Sequence, residues 1–233
     1  MQWRRTLLIA ALFPAVLLAS APKAYCGQVA LVGDGMVVAV KSMKELRDSR
    51  IVHQKYDFSC GSAAIATLLT YSYDEPTTER QAFKAMYAAG DRKTIRKVGF
   101  SLLDMQKYLR KVGIRADGYK VSLERLRSLH LPAITLISPH GYNHFVVLRG
   151  WEGNSIILAD PSRGLRRIPV EDFAAMWKGI VFVLHNQPQV AQANYNDPKD
   201  LKLLPRAPLR TASAGSQIGL GSFLINLPIY NEY

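Results

Sequence analysis

The apolar positions change period partway along the chain. Up to about residue 130 they recur at helical spacing; from 132 to 185 they gather into short β-branched blocks. Ser62 to Tyr73 holds Ala63, Ala64, Ile65, Ala66, Leu68 and Leu69, which predicts a buried helix starting near Cys60. Pro76 ends the loop after it, Thr77 or Thr78 caps a second helix to Ala89, and Gly90 stops that helix. Ser101 starts a third, with Asp104 in its first turn, Leu102, Met105, Leu109 and Val112 as one apolar face, and Gly113 as the stop. Ser122 caps a short fourth helix through Leu129.

Beyond Pro132 the blocks 132–137, 143–149 and 155–159 read as sequential antiparallel strands. Turn signals at His140-Gly141 and Glu152-Gly153-Asn154 separate them. Leu165 to Ile168 reads as a further strand, Val170 to Trp177 as a short helix and Ile180 to His185 as the last strand. Helices first and a strand meander afterwards predict an α+β fold, with a helical first half packed on an antiparallel β-sheet second half.

The ends read differently. Met1 to Arg5 is short and positive, Thr6 to Ala21 is apolar but for Pro14, and the small residues Ala19, Ser20, Ala21 and Ala24 follow. This is the layout of a secretory signal peptide over 1–26, too short for a comfortable spanning helix. The expectation is an exported, periplasmic protein, with a retained membrane anchor as the less favoured reading. Residues 27–47 form a lead-in, with one or two short strands in Val29 to Val40 and a loop or short helix over Lys41 to Arg50. The main domain is expected over 48–186. From 187 onward Pro188, Pro198, Pro205 and Pro208 interrupt the pattern and 212–221 is rich in Gly and Ser, so 187–233 reads as an extended tail outside the domain.

Composition narrows the function classes. The 233 residues are 48% hydrophobic and 21% charged, which suits a folded domain and excludes bulk disorder. Two cysteines exclude a disulfide scaffold. The net charge of +12 is spread along amphipathic segments, with no nucleic-acid motif and no basic block interleaved with aromatics, so no nucleic-acid partner is expected. No Gly-rich loop follows a strand, so no nucleotide is expected. The five histidines have no metal-ligand spacing; His140 and His144 stand four apart, but Pro139 and Gly141 exclude a helix there.

Three residues carry the candidate chemistry. Cys60 precedes a helix, where the positive end of the helix dipole favours thiolate. His144 lies in a strand, and Asp160 ends the next one, followed by Pro161. With the hairpin turn near 152–154, positions 144 and 160 fall roughly opposite each other, which suits a base and its orienting carboxylate. Gln54, six residues before Cys60, is a candidate to complete an oxyanion hole with the Cys60 N–H. Singly, a buried cysteine, a core histidine and an Asp-Pro turn are the blander readings; together and in this order they point to a cysteine nucleophile. If Cys26 is removed with the signal, Cys60 is the only thiol left.

Gln54, Cys60-Gly61, Asn143-His144-Phe145 and Asp160-Pro161 resemble the motifs of the bacteriocin-processing, double-glycine leader peptidases. These are papain-like cysteine peptidases often found as N-terminal domains of peptide-exporting ABC transporters. The resemblance covers about 48–185. It implies a papain-like fold, Cys60 as nucleophile, His144 as base, Asp160 as orienter, Gln54 as oxyanion donor, a peptide or protein substrate, and no metal or organic cofactor. The family usually has Asp before its cysteine; this chain has Ser59. Stand-alone exported members resemble the accessory peptidase of functional-amyloid secretion systems, which implies a role in maturing or secreting a fibre protein and secretion-system components as partners. Two other classes use the same residues: a catalytically silent peptide-binding module, and a thiol acyl-transferase.

Overall fold

A computed structural model describes residues 28–30, 37–39 and 41–204. The expected signal peptide over 1–26 and the tail beyond 204 lie outside the described residues. Two strands of the lead-in, β1 (Gln28–Ala30) and β2 (Val37–Ala39), pair antiparallel with each other.

The main domain opens with α1 (Met43–Asp48), where Ser42 and Glu45 form a reciprocal capping box. The helix α2 (Cys60–Ser72) is buried along nearly its whole length, as its small and apolar residues require. Against it pack α3 (Glu79–Ala89), capped by Thr78 and Gln81, and α5 (Leu102–Lys111), capped by Ser101 and Asp104. Between them lies α4 (Arg92–Val98), a helix the apolar pattern does not reveal. Asp91 caps it, and Ile95 is its only buried residue.

The second half is one six-stranded antiparallel sheet. Its strands are β3 (Ala116–Lys120), β4 (Ala133–Ile137), β5 (His144–Glu152), β6 (Ser155–Asp160), β7 (Gly164–Pro169) and β8 (Trp177–Leu184), in the order β3-β8-β4-β5-β6-β7. β3, with the sequence Ala-Asp-Gly-Tyr-Lys, has no apolar alternation and was not legible as a strand. α6 (Leu123–Ser128) and α7 (Val170–Met176) contribute Leu126 and Phe173 to one core cluster; α2, α3 and α5 share a second cluster with the sheet. β5 is covered on both faces, hence its unbroken run of buried positions. The α+β fold expected from the sequence is the fold observed.

The segment after 187 corrects the expectation of an extended tail. α8 (Pro188–Ala193) and α9 (Pro198–Leu203) are helices, and both prolines sit in a first helical turn, where the missing N–H costs nothing. Ala191, Leu201, Leu203 and Leu204 join the cluster shared by α2, α3, α5 and the sheet, and Tyr195 packs against the cluster of Leu126 and Phe173. Charge fixes the segment too. Fully buried Arg149 pairs with Asp200 at 2.7 Å, and Arg50 reaches both Asp200 and Asp197.

Candidate active site

Cys60 is held at the start of α2 by the loop before it. Ser59, fully buried, accepts from the Tyr56 N–H at 3.1 Å and donates to the Tyr56 carbonyl at 3.0 Å through its hydroxyl. That hydroxyl is therefore not spent on the helix, and no side chain caps the first turn of α2. The Cys60 end of the helix keeps its backbone donors and its positive dipole end. Cys60 itself is buried.

His144 starts β5 and Asp160 ends β6; they are 7% and 3% exposed. His144 Nε2 donates to Asp160 Oδ1 at 2.8 Å, which leaves Nδ1 as the ring nitrogen for the Cys60 sulfur. Burial alone would push the His144 pKa down. The hydrogen bonds to Asp160 and Cys60, with the negative charges of both, overcome it and raise the pKa to about 9. Burial likewise disfavours the Asp160 carboxylate, but His144 and then Ser162 hold its pKa well below the usual carboxylate value. The Ser162 N–H and hydroxyl bond Oδ1 at 3.0 and 2.8 Å, and Arg166 approaches Oδ2 at 3.4 Å. The Asp-Pro-Ser turn is thus an Asx turn whose side-chain acceptor is the carboxylate bonded to His144.

Gln54 lies beside this turn. Its backbone N–H donates to the Pro161 carbonyl at 3.1 Å, and its Nε2 donates to the Tyr56 and Asp57 carbonyls at 3.1 and 3.4 Å. The structure thus bonds His144 to Asp160, sets Cys60 close enough to the same ring to raise its pKa, and places Gln54 on the adjoining loop with its amide engaged by that loop.

Tyr142 is exposed, and its hydroxyl donates to the Asp57 carbonyl at 3.0 Å across the cleft. Desolvation first, then the charges of Cys60 and Asp57, raise its pKa and keep it a donor. Cavities of about 550 and 430 Å³ flank it. The larger is lined by Gln54, His140, His144, Asp160, Arg163 and Arg166, the smaller by Cys60, Phe100, Leu102, Leu136 and Phe145. His140, in the turn the sequence marks at His140-Gly141, is exposed at the rim of the larger cavity.

The arrangement is a thiol at a helix start, an imidazole between thiol and carboxylate, and a cleft running past both. The Peptidase C39 family matches this chain over residues 48–189. The chain is 42% identical over 162 residues to "Probable functional amyloid protease FapD" of Pseudomonas aeruginosa, covering 69% of this chain and 72% of that relative. It is 39% identical over 173 residues to the protein of the same name from Pseudomonas fluorescens, covering 72% and 76%. Among solved structures, a double glycine motif protease from an AMS/PCAT transporter in complex with the leader peptide aligns with a TM-score of 0.49 and 28% identity, over 57% of this chain and 89% of that one. Since the family match takes in the approach loop, α2 and every strand of the large sheet, the chain belongs to the Peptidase C39 family and is a cysteine peptidase.

Proposed function

We propose that this peptidase is exported to the periplasm and cuts a peptide or secreted protein there, in the maturation or secretion of an extracellular fibre protein. The observation that carries the catalytic part is the His144–Asp160 bond of 2.8 Å, with Cys60 as the second partner of the same ring. The fibre connection draws on the FapD relatives, and export on the signal-like first 26 residues.

In this reading the Cys60 sulfur attacks the scissile carbonyl carbon. The oxyanion that forms is met by the Cys60 N–H and the Gln54 amide, which gives up its long 3.4 Å bond to Asp57. His144, an imidazolium at neutral pH, donates its Nδ1 proton to the departing amine, and a thioester remains. Neutral His144 then takes a proton from water as the water attacks the thioester; the C–S bond breaks, which releases the acid and restores the thiolate–imidazolium pair. Asp160 holds the ring through Nε2 throughout, so the proton travels on Nδ1.

The test needs no known substrate. In the chain from Gly27 onward Cys60 is the only thiol, so its iodoacetamide alkylation rate can be followed against pH. Fast alkylation at neutral pH that His144→Ala slows supports the pair; a slow thiol indifferent to His144→Ala rejects it and favours a binding module. With a cleaved substrate in hand, Cys60→Ala stops product formation while the fold persists. Two fragments show hydrolysis, and a new amide shows acyl transfer.

A further inference from the structure

β5 contains one residue more than its partner requires. From the turn, Glu152 pairs with Ser155, Trp151 with Ile156 and Gly150 with Ile157; then Leu148 pairs with Leu158 and Val147 with Ala159. Arg149 is the extra residue of a β-bulge. Without it the register would carry Asp160 opposite Val147, on the face away from His144. With it, Asp160 falls opposite Val146, diagonal to His144 and on its face.

The bulge is filled by one residue of the segment between α8 and α9. Asn196 donates its backbone N–H to the Arg149 carbonyl at 3.0 Å. Its Oδ1 accepts from the Trp151 N–H at 2.6 Å, and its Nδ2 donates to the Trp151 carbonyl at 3.1 Å. β4 pairs with β5 only over Leu148 to His144, so Asn196 takes the place of a neighbouring strand at the bulge. Gly150 makes room: a Cβ there would lie 2.0 Å from Asn196 Oδ1. Asn196 holds φ +57°, a conformation asparagine tolerates better than most residues. Asp197 and Asp200, tied to Arg50 and Arg149, anchor it on the C-terminal side.

We propose that Asn196 is a positioning residue for the reaction: by filling the Arg149 bulge it holds the β5–β6 register that sets His144 and Asp160 on one face. This rests on the roles given above to Cys60, His144 and Asp160. The titratable groups around His144 are Cys60 and Asp160, with Arg163 and Arg166 beyond Asp160, and Asp57, His140 and Tyr142 lining the same cavity; none belongs to 188–204. Asn196 is uncharged, so its effect on His144 passes through the strand and not through a field.

The experiment uses the full chain and two readouts free of substrate: the titration of the His144 ring by NMR, and the iodoacetamide rate at Cys60 followed on the Cys60 peptide by mass. In Asn196→Ala, His144 titrates at lower pH than in the wild type and alkylation at pH 7 slows about tenfold or more. Gly150→Ala keeps Asn196 in the chain but occupies its place, and gives the same two changes. A merely structural role lowers the melting temperature and leaves both readouts of the folded protein unchanged; that result in either folded variant overturns the proposal. His144→Ala separates the two levels of the argument. If it slows Cys60 and the Asn196 and Gly150 variants do not, only the positioning role fails; if it has no effect, the catalytic reading fails and the positioning role with it.

Discussion

His144 and Asp160 stand diagonal to each other on neighbouring strands, and their 2.8 Å bond crosses a register shifted by one residue at Arg149. The pair is therefore not a local property of a hairpin. It joins the site to the C-terminal segment, whose Asn196 fills the bulge and whose Asp200 neutralises the bulged side chain. Four predictions concern this arrangement.

The first is a pH dependence of stability. His144 has a pKa of about 9 in the folded state against an ordinary value of 6.5. Its contribution is complete below about pH 6.5 and is lost as pH rises through about 9. A shift of this size amounts to about 3 kcal/mol. Urea-unfolding midpoints measured from pH 6 to 9.5 should fall over that window, and His144→Ala should remove most of the fall. An equal fall in both proteins would assign the window to another group. Asp160 works at the opposite end: its lowered pKa stabilises above the ordinary carboxylate range and is lost as pH drops through it.

Asp160→Asn removes the charge and presents the ring with an amide. The amide NH₂ then competes to donate to Nε2, which favours the tautomer with its proton on the wrong nitrogen. We expect kcat to drop by roughly 10²–10⁴ with the fold intact, less than the loss in Cys60→Ala. Steady-state rates beside circular dichroism check it, and wild-type rates would remove Asp160 from the role of orienter.

Gly164 closes the Asp160 turn at φ +83°, and a Cβ there would lie 2.8 Å from Asp48 Oδ1 and 3.1 Å from the Arg47 carbonyl. The Arg163 N–H, one residue earlier, donates to the Asp160 carbonyl at 3.0 Å. Gly164→Ala should cost about 1–3 kcal/mol and slow Cys60 alkylation, because strain in this turn displaces Asp160. Thermal melts and alkylation rates read the two effects; an unchanged melt would show that the turn relaxes freely.

Asp200 is 1% exposed and neutralises the fully buried Arg149. Asp200→Ala leaves that guanidinium without its carboxylate, at a cost of about 3–5 kcal/mol, or roughly 10 °C of melting temperature. Differential scanning fluorimetry measures it. A shift within a degree or two of wild type would mean that Arg149 has found water or another acceptor.

Much of this protein is determined by local sequence. The α2, α3 and α5 helices follow from the apolar run after Cys60 and from the caps at Thr78 and Ser101, because capping and periodicity act within a few residues. The strand meander follows from β-branched blocks between turn signals, and Cys60, His144 and Asp160 stand out by their place at element ends. Two elements escaped because they bury little: α4 has one buried residue and β3 lies at the sheet edge. Pro188 and Pro198 suggested a tail because proline breaks helix interiors as readily as it opens helices, and sequence alone does not tell the two positions apart. The face on which Asp160 sits was decided by tertiary structure. Strand periodicity is two, so a single extra residue reverses every side chain beyond it, and nothing around Arg149 marks it as extra. The bulge has its partners in Asn196 and Asp200, some fifty residues away along the chain and brought into contact only by the packing of α8 and α9.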